Sequence, residues 1–334
     1  MPYTIPLATL EMIKFKFIVI SLVTIVTSTG FQANDNLDYK EYHYQITEAE
    51  KLLSEEQFAD ALIRYEQIFT LYDFVFLRDY KVASQLSLYL DDKTKAFEYL
   101  KEGIAAGWKL KDLKKNEFLK VLQREPKWMT IEQSYGKLRS QYGKSIDRDL
   151  REKVGLMFKK DQKKAMGALF RIGNKAQERY GTKKFAPHSE NQMFKLIEIL
   201  NNDGYPGEKT IGDDIWMSTI ISHHNSISLE YSKKDTLYNF IKPKLIRAIE
   251  NGEMSPYEFA LIDDWQKAVE SERTVPGYGF LISPKKYTLI ETNQLRHKIG
   301  LRSIELRNKL VDVEKKTGMN FYLPTWIKGK INIE

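Results

Sequence analysis

Apolar residues recur at helical spacing from Tyr44 onward, and part of this pattern occurs twice along the chain. The first copy places its residues at offsets of 0, 3, 12, 16 and 19: Ala49, Leu52, Ala61, Tyr65 and Ile68. The second copy follows 34 or 35 residues later: Ala83, Leu86, Ala96, Leu100 and Gly103. Small residues let two antiparallel helices approach closely, and the larger residues fill the groove between them. The pattern therefore predicts two successive pairs of helices.

This spacing resembles the tetratricopeptide repeat, whose period is about 34 residues. The match is partial, because Gln45 and Asp73 stand in the first unit where that family usually has Trp and Pro. Two units are also few, since such solenoids need about three repeats to bury a continuous core. The alternative is a plain helical bundle with coincidental spacing. In either case we expect residues 34–140 to be a scaffold rather than a catalyst, because their only histidine is His43.

A second stretch of helical spacing carries an acidic residue on its apolar side. The positions that recur mostly at intervals of three or four are Leu150, Val154, Met157, Phe158, Asp161, Ala165 and Leu169. They predict one long helix whose opposite face carries the basic residues. We assign this helix to the start of a second domain, residues 141–334.

Two short apolar runs near the carboxyl end are separated by turn residues. The runs 277–282 and 287–290 flank Ser283-Pro284-Lys285-Lys286 and predict a small β-hairpin. The predicted fold class is therefore mainly α. A short tetratricopeptide-like helical repeat region is followed by an α-helical domain with one small β-hairpin.

The amino terminus has the pattern of a targeting segment. Lys14 and Lys16 precede the apolar run 17–26, which is followed by small and polar residues up to Ala33. This run is shorter than the roughly 20 residues that span a bilayer, so we interpret residues 1–33 as a cleaved signal peptide. An uncleaved anchor that reaches back through Phe15 is the alternative. The chain has no cysteine, which argues against a lipid anchor, and we expect a periplasmic or secreted bacterial protein.

The positive charge of the chain is concentrated in one segment. The composition is that of a globular protein of about two domains, with 42% hydrophobic residues and a formal net charge of +7. Residues 141–184 hold 13 basic side chains against 5 acidic ones. Such a face binds an anionic surface or polymer, or is simply solvated. Nucleic acid is the least favoured partner, because no binding motif is present and aromatic residues are not interleaved with the charges.

Several short motifs of the second domain occur in a characteristic order. They are Asp161-Gln162, Gly204-Tyr205-Pro206, Gly212, His223-His224-Asn225, Asp263-Asp264, Gly277-Tyr278-Gly279 and the closing run from Arg296 to Leu301. Together they resemble a bacterial family of secreted proteins with a domain of unknown function, catalogued under the number 6624. The resemblance covers about residues 148–310. Departures from the family pattern at Lys163-Lys164, Ser222 and Trp265 put the completeness of any shared site in doubt.

The resemblance and the residue types together indicate five candidate catalytic residues: His223, Asp161, Gln162, Asp264 and Tyr278. His223 could act as a general acid or base near neutral pH, with Asp161 or Asp264 to orient it. A histidine with two carboxylates could also hold a metal ion. His223 and His224 are not expected to share a site, because neighbouring side chains of a helix diverge by about 100°. The alternative is that His223 only packs in the core, since it follows the apolar pair Ile220-Ile221.

Two functions follow from these patterns. The first is an interaction scaffold, in which the helical repeat binds another envelope or secreted protein and residues 141–184 face an anionic surface or polymer. The second is a hydrolase-like enzyme that uses the His/Asp site of the carboxy-terminal domain. Common enzyme signatures such as a phosphate-binding loop, a nucleophile elbow or HExxH are absent from the sequence. No cofactor and no resident metal is expected.

Overall fold

Helices account for nearly all of the regular structure in the residues that the computed structural model describes, 38–324 and 326–334. The prediction of a mainly helical protein is confirmed, and no residue in those two ranges belongs to a β-strand. The interpretation of residues 1–33 as a signal peptide lies outside the described residues. Among the helices described, none is both long and apolar enough to cross a bilayer.

The amino-terminal part consists of six α-helices and a 3-10 helix at Phe118–Arg124. In chain order the α-helices are α1 (Tyr39–Ser54), α2 (Phe58–Leu71), α3 (Leu77–Tyr89), α4 (Lys93–Ala105), α5 (Leu110–Leu113) and α6 (Trp128–Ser145). Helix α1 packs against α2, and α3 packs against α4. All positions of the repeated pattern are buried except Leu52, which is partly buried.

Ten further α-helices and one π-helical turn, Gly181–Phe185, make up the rest. In chain order they are α7 (Arg148–Leu169), α8 (Asn174–Tyr180), α9 (Ala186–Asn202), α10 (Glu208–Ile211), α11 (Trp216–Asn225), α12 (Leu229–Ser232), α13 (Leu237–Glu250), α14 (Pro256–Glu270), α15 (Leu289–Lys298) and α16 (Ile304–Thr317). Helices α7, α9, α11, α13 and α14 share one apolar core.

The predicted β-hairpin is wrong. Residues 277–282 form turns and bends, and Leu289 begins helix α15. The carboxylate of Asp264 in α14 accepts hydrogen bonds from the backbone N–H of Tyr278 at 2.5 Å and of Phe280 at 2.8 Å. Because buried N–H groups need acceptors, a hairpin would have supplied them from a second strand. Here the side chain of Asp264 supplies both acceptors. Gly277, with φ of +58°, lies so close to Asp264 that a side chain at this position would overlap the carboxylate.

The carboxyl end of the chain completes the core of the amino-terminal helices. Seven of its apolar residues belong to the same buried cluster as α1, α2 and α3: Leu306, Leu310, Val311, Val313, Met319, Phe321 and Leu323. Gln85 in α3 bonds the backbone of Asn320 twice, donating to its C=O at 2.7 Å and accepting from its N–H at 2.9 Å. The last helix and the segment after it therefore cover one face of the first helices.

A buried carboxylate lies between two guanidinium groups from distant parts of the sequence. Glu50 in α1 is fully buried, and its Oε1 lies 2.5 Å from Nη2 of Arg78 in α3. Its Oε2 accepts a short hydrogen bond from Nε of Arg302, which precedes α16. Burial by itself raises the pKa of Glu50, but the two arginines outweigh it, and the pKa lies below its ordinary value. Glu50 is therefore ionised at neutral pH.

Replacing this carboxylate should destabilise the protein strongly. Glu50→Gln takes its carboxylate partner from the buried Arg302, while Arg78 keeps Asp79 at 3.0 Å, so we expect the free energy of unfolding to fall by about 3–5 kcal/mol. The matched control is Glu48→Gln on the exposed side of α1, where the carboxylate only meets exposed Lys51 at 3.2 Å. Urea unfolding of both variants measures the difference. Equal midpoints for the two variants would contradict the role given to Glu50.

Candidate acid–base site

Helix α7 carries Asp161 into the protein interior. The side chain of Asp147 caps the start of the helix by accepting from the N–H of Leu150 at 2.9 Å. Leu150, Val154 and Met157 are buried along one face, and Asp161 continues this face with no exposed surface. The long helix with a carboxylate on its apolar side, predicted from the spacing, is confirmed.

Close packing of α11 against α7 brings a histidine to this carboxylate. The ring of Trp216, at the start of α11, stacks on Phe158 with a centroid distance of 6.1 Å. A side chain at Gly155 would place its Cβ 3.1 Å from the same indole, so the small residue permits the approach. Further along both helices, His223 of α11 meets Asp161 of α7.

His223 and Asp161 form a hydrogen-bonded pair. Nδ1 of His223 lies 2.6 Å from Oδ2 of Asp161. A carboxylate only accepts, so Nδ1 carries the proton and Nε2 is left as the acceptor. The imidazole side chain is 31% exposed, whereas the carboxylate is fully buried. His223 is thus an oriented imidazole open to solvent, and the alternative of a histidine buried among apolar side chains does not describe it.

Two residues that the sequence analysis did not identify flank this pair. Phe185 meets the ring of His223 edge-on with a centroid distance of 6.3 Å, and it lies 6.2 Å from the ring of His188 at the start of α9. Nε2 of His188 and Oδ1 of Asp161 are both buried and bond no described residue. Such atoms are costly to leave without partners. They are two buried positions at which an internal water molecule would be stabilised.

The surroundings of His188 favour its neutral form, chiefly because the ring is partly buried. Burial lowers the pKa of His188, and the nearby ammonium groups of Lys164, Lys195 and Lys160 lower it further. The carboxylate of Asp161 acts in the opposite direction and is outweighed. His188 is therefore a neutral imidazole at neutral pH, in surroundings that are positively charged.

A signal for His188 was present in the sequence. Helix α9 carries His188, Ser189 and Gln192 at helical spacing before the apolar residues of the same helix. Ser189 and Gln192 are buried, and Gln192 donates to the backbone C=O of Met157 in α7 at 2.8 Å. Polar residues recurring on a buried face indicate internal hydrogen bonds. This pattern identifies the buried polar face of α9 but does not indicate that the face packs against α7.

His224 belongs to a separate network. Its Nδ1 lies 2.9 Å from the hydroxyl of Ser189, and its Nε2 lies 3.2 Å from Oδ2 of Asp235. Ser189 and His224 are almost completely buried. This serine, histidine and aspartate therefore join three parts of the chain without reaching a substrate. The predicted divergence of His223 and His224 is confirmed.

The remaining predicted site residues do not join His223. Both carboxylate oxygens of Asp264 hold the loop at 278–280, and burial raises the pKa of this group to about 7. The backbone C=O of Tyr278 accepts from Nη1 of the buried Arg296 at 2.6 Å, so Tyr278 belongs to the same loop anchor. Gln162 is partly buried next to Asp161 and bonds no described side chain. Of the other four candidates, only Asp161 bonds His223.

The described residues offer no ready-made metal site, because no three His, Asp or Glu side chains among them are grouped to hold an ion. Comparison of the chain with models of protein families, with curated proteins and with solved structures finds no match. The function is therefore argued from the geometry of this chain alone.

The histidine titrations give a direct test of this geometry. Lys164→Gln removes a cation that opposes protonation of His188, so it should raise the pKa of His188. Asp161→Asn removes an anion that favours protonation, so it should lower the same pKa, with each shift roughly a few tenths of a unit. NMR titration of the imidazole signals measures both, and exposed Lys309 on α16, changed to Gln, serves as the control. Shifts of the same sign in the two variants would contradict the arrangement.

Proposed function

We propose that the chain is an enzyme in which His223 moves a proton during hydrolysis or group transfer. The observation that supports this most is the 2.6 Å hydrogen bond from the partly exposed imidazole to the fully buried Asp161. The carboxylate holds Nε2 ready to accept a proton and stabilises the imidazolium that then forms. A histidine that served only for packing would need neither property.

The proposed substrate carries negative charge. The lysines that act on His188 are Lys160, Lys164 and Lys195, and they provide the positive surroundings of the site. These lysines would attract an anionic substrate to the site and hold its charged group during the reaction.

His223 is proposed to activate a water molecule or a substrate hydroxyl. The chain has no cysteine, and the hydroxyl of Ser189, in the neighbouring network, is buried and bonded to His224. Among the described residues, no side-chain hydroxyl is hydrogen-bonded to Nε2 of His223. Activation of a water molecule or a substrate hydroxyl by a general base needs only the oriented imidazole.

Chemical modification tests the reactive nitrogen without knowledge of the substrate. Diethyl pyrocarbonate acylates unprotonated imidazole, so His223 should react readily, whereas buried His43 and His224 should react slowly. Exposed His297 gives the rate of an unassisted histidine. Asp161→Asn should lower the rate at His223 several-fold and leave His297 unchanged, as measured by mass spectrometry of peptides. An unchanged rate at His223 would overturn the assignment.

Turnover provides the second test. We would assay p-nitrophenyl phosphate, a phosphodiester and an anionic carboxylate ester. For any substrate that the natural chain converts, His223→Gln should lower kcat by about 10²- to 10⁴-fold, the usual contribution of a general base. His297→Gln is the matched control and should retain full activity. Equal activity of the two variants would exclude His223 as the base.

The second candidate function is an interaction scaffold. The buried small and aromatic positions of α1 to α4 support a tetratricopeptide-like arrangement of two helix pairs. The faces of α1 and α3 are already covered by α16 and the segment after it. A partner from the envelope or the secreted fraction would instead meet α2, where Ile63 and Leu71 are each about half exposed.

A periplasmic or secreted location remains part of the proposal. It rests on the lysines and the apolar run of residues 14–33. Either function, as enzyme or as scaffold, is compatible with it. Fractionation of cells that express the full chain, with mass measurement of the mature protein, tests cleavage after Ala33.

A further inference from the structure

Two large apolar side chains project from a single turn of the protein. The turn at residues 170–173 joins α7 to α8. The side chain of Phe170 is 77% exposed and that of Ile172 is 98% exposed. Apolar residues of this size, adjacent on a turn and without covering side chains, are unusual on a surface that faces only water.

Basic side chains surround the same turn. A shallow surface depression is lined by Ile172 together with five of them: Arg171, Lys175, Arg179, Lys183 and Lys184. All five are exposed. Glu178 is the only acidic residue between positions 162 and 184. We call Phe170, Ile172 and these five basic residues the α7–α8 tip.

Contacts between α7 and α8 hold the α7–α8 tip in position. The hydroxyl of Tyr180 in α8 donates to the backbone C=O of Lys164 in α7 at 2.9 Å. The guanidinium carbon of Arg171 lies 5.3 Å from the centroid of the same ring. Gly167 faces the Tyr180 hydroxyl, and a side chain there would overlap it. The apolar residues are thus presented by a braced helix pair.

We propose that the α7–α8 tip docks the protein on an anionic lipid bilayer. Phe170 and Ile172 enter the boundary between head groups and acyl chains, while the basic side chains meet lipid phosphates. An anionic polysaccharide or a nucleic acid would use the basic residues but would leave both apolar side chains in water. A lipid bilayer has an anionic outer layer and an apolar interior, so it matches both the basic and the apolar residues of the α7–α8 tip.

The docking proposal is independent of the proposed acid–base function. Asp161 lies eight positions before the last residue of helix α7, about 12 Å along the axis, and the α7–α8 tip begins at the next residue. Docking would therefore hold the site within a short distance of the lipid head groups. Loss of docking would leave the bond between His223 and Asp161 intact, so the two proposals can fail separately.

Co-sedimentation with vesicles tests the proposal. The full chain should bind phosphatidylcholine vesicles that contain about one quarter phosphatidylglycerol, and it should bind pure phosphatidylcholine vesicles at least about tenfold more weakly. The double variant F170S/I172S should lose at least about tenfold in partition to the anionic vesicles. The matched control is Y287S/I290S, which removes side chains that are 78% and 72% exposed outside the α7–α8 tip. It should bind as the natural chain does.

A fluorescent variant reports insertion directly. In F170W the added indole emission should shift to shorter wavelength with anionic vesicles and should be quenched by brominated acyl chains. Circular dichroism verifies that each variant is folded, as expected because the changed side chains lie in solvent.

Three results would overturn the proposal. The first is that the natural chain binds neither kind of vesicle, and the second is that F170S/I172S binds anionic vesicles as well as the natural chain does. The third is retention on heparin by the natural chain and F170S/I172S alike, with no partition of either to vesicles, which would identify a polymer as the partner.

Discussion

The buried carboxylate of Glu50 is the interaction on which the rest of the structure depends. It compensates two guanidinium groups, one from α3, which also contacts Asp79, and one from the segment just before α16. This pairing fixes the first helix against both the amino-terminal pairs and the end of the chain. The carboxyl end then completes the apolar core around α1 to α3, and the helices that carry Asp161 and His223 follow within the same unit of the fold.

Features set by the period of a helix could be predicted from the sequence. The apolar spacing gave the extent of α7 and identified Asp161 as a carboxylate on a buried face, because a 3.6-residue period fixes which side chains share a face. The same geometry separated His223 from His224. Each of these features belongs to a single helix, whose own sequence determines which side chains share a face.

Features that depend on contacts between distant helices could not be predicted. The meeting of His223 with Asp161 depends on Gly155 and Trp216, whose packing no local pattern indicates. The β-hairpin was predicted because two short apolar runs flank turn residues, and the pattern does not reveal that Asp264 satisfies the N–H groups of the first run. His188 was missed for a similar reason, since its importance appears only when α9 lies beside α7.

The closure of the first helices by the last ones also sets an order of events during synthesis. Helices α1 to α3 are made well before Leu310 and Phe321, which complete their core. The two hydrogen bonds of Gln85 to the backbone of Asn320 likewise form only after Asn320 has been made. The core of the amino-terminal helices therefore stays incomplete until these later residues have been made.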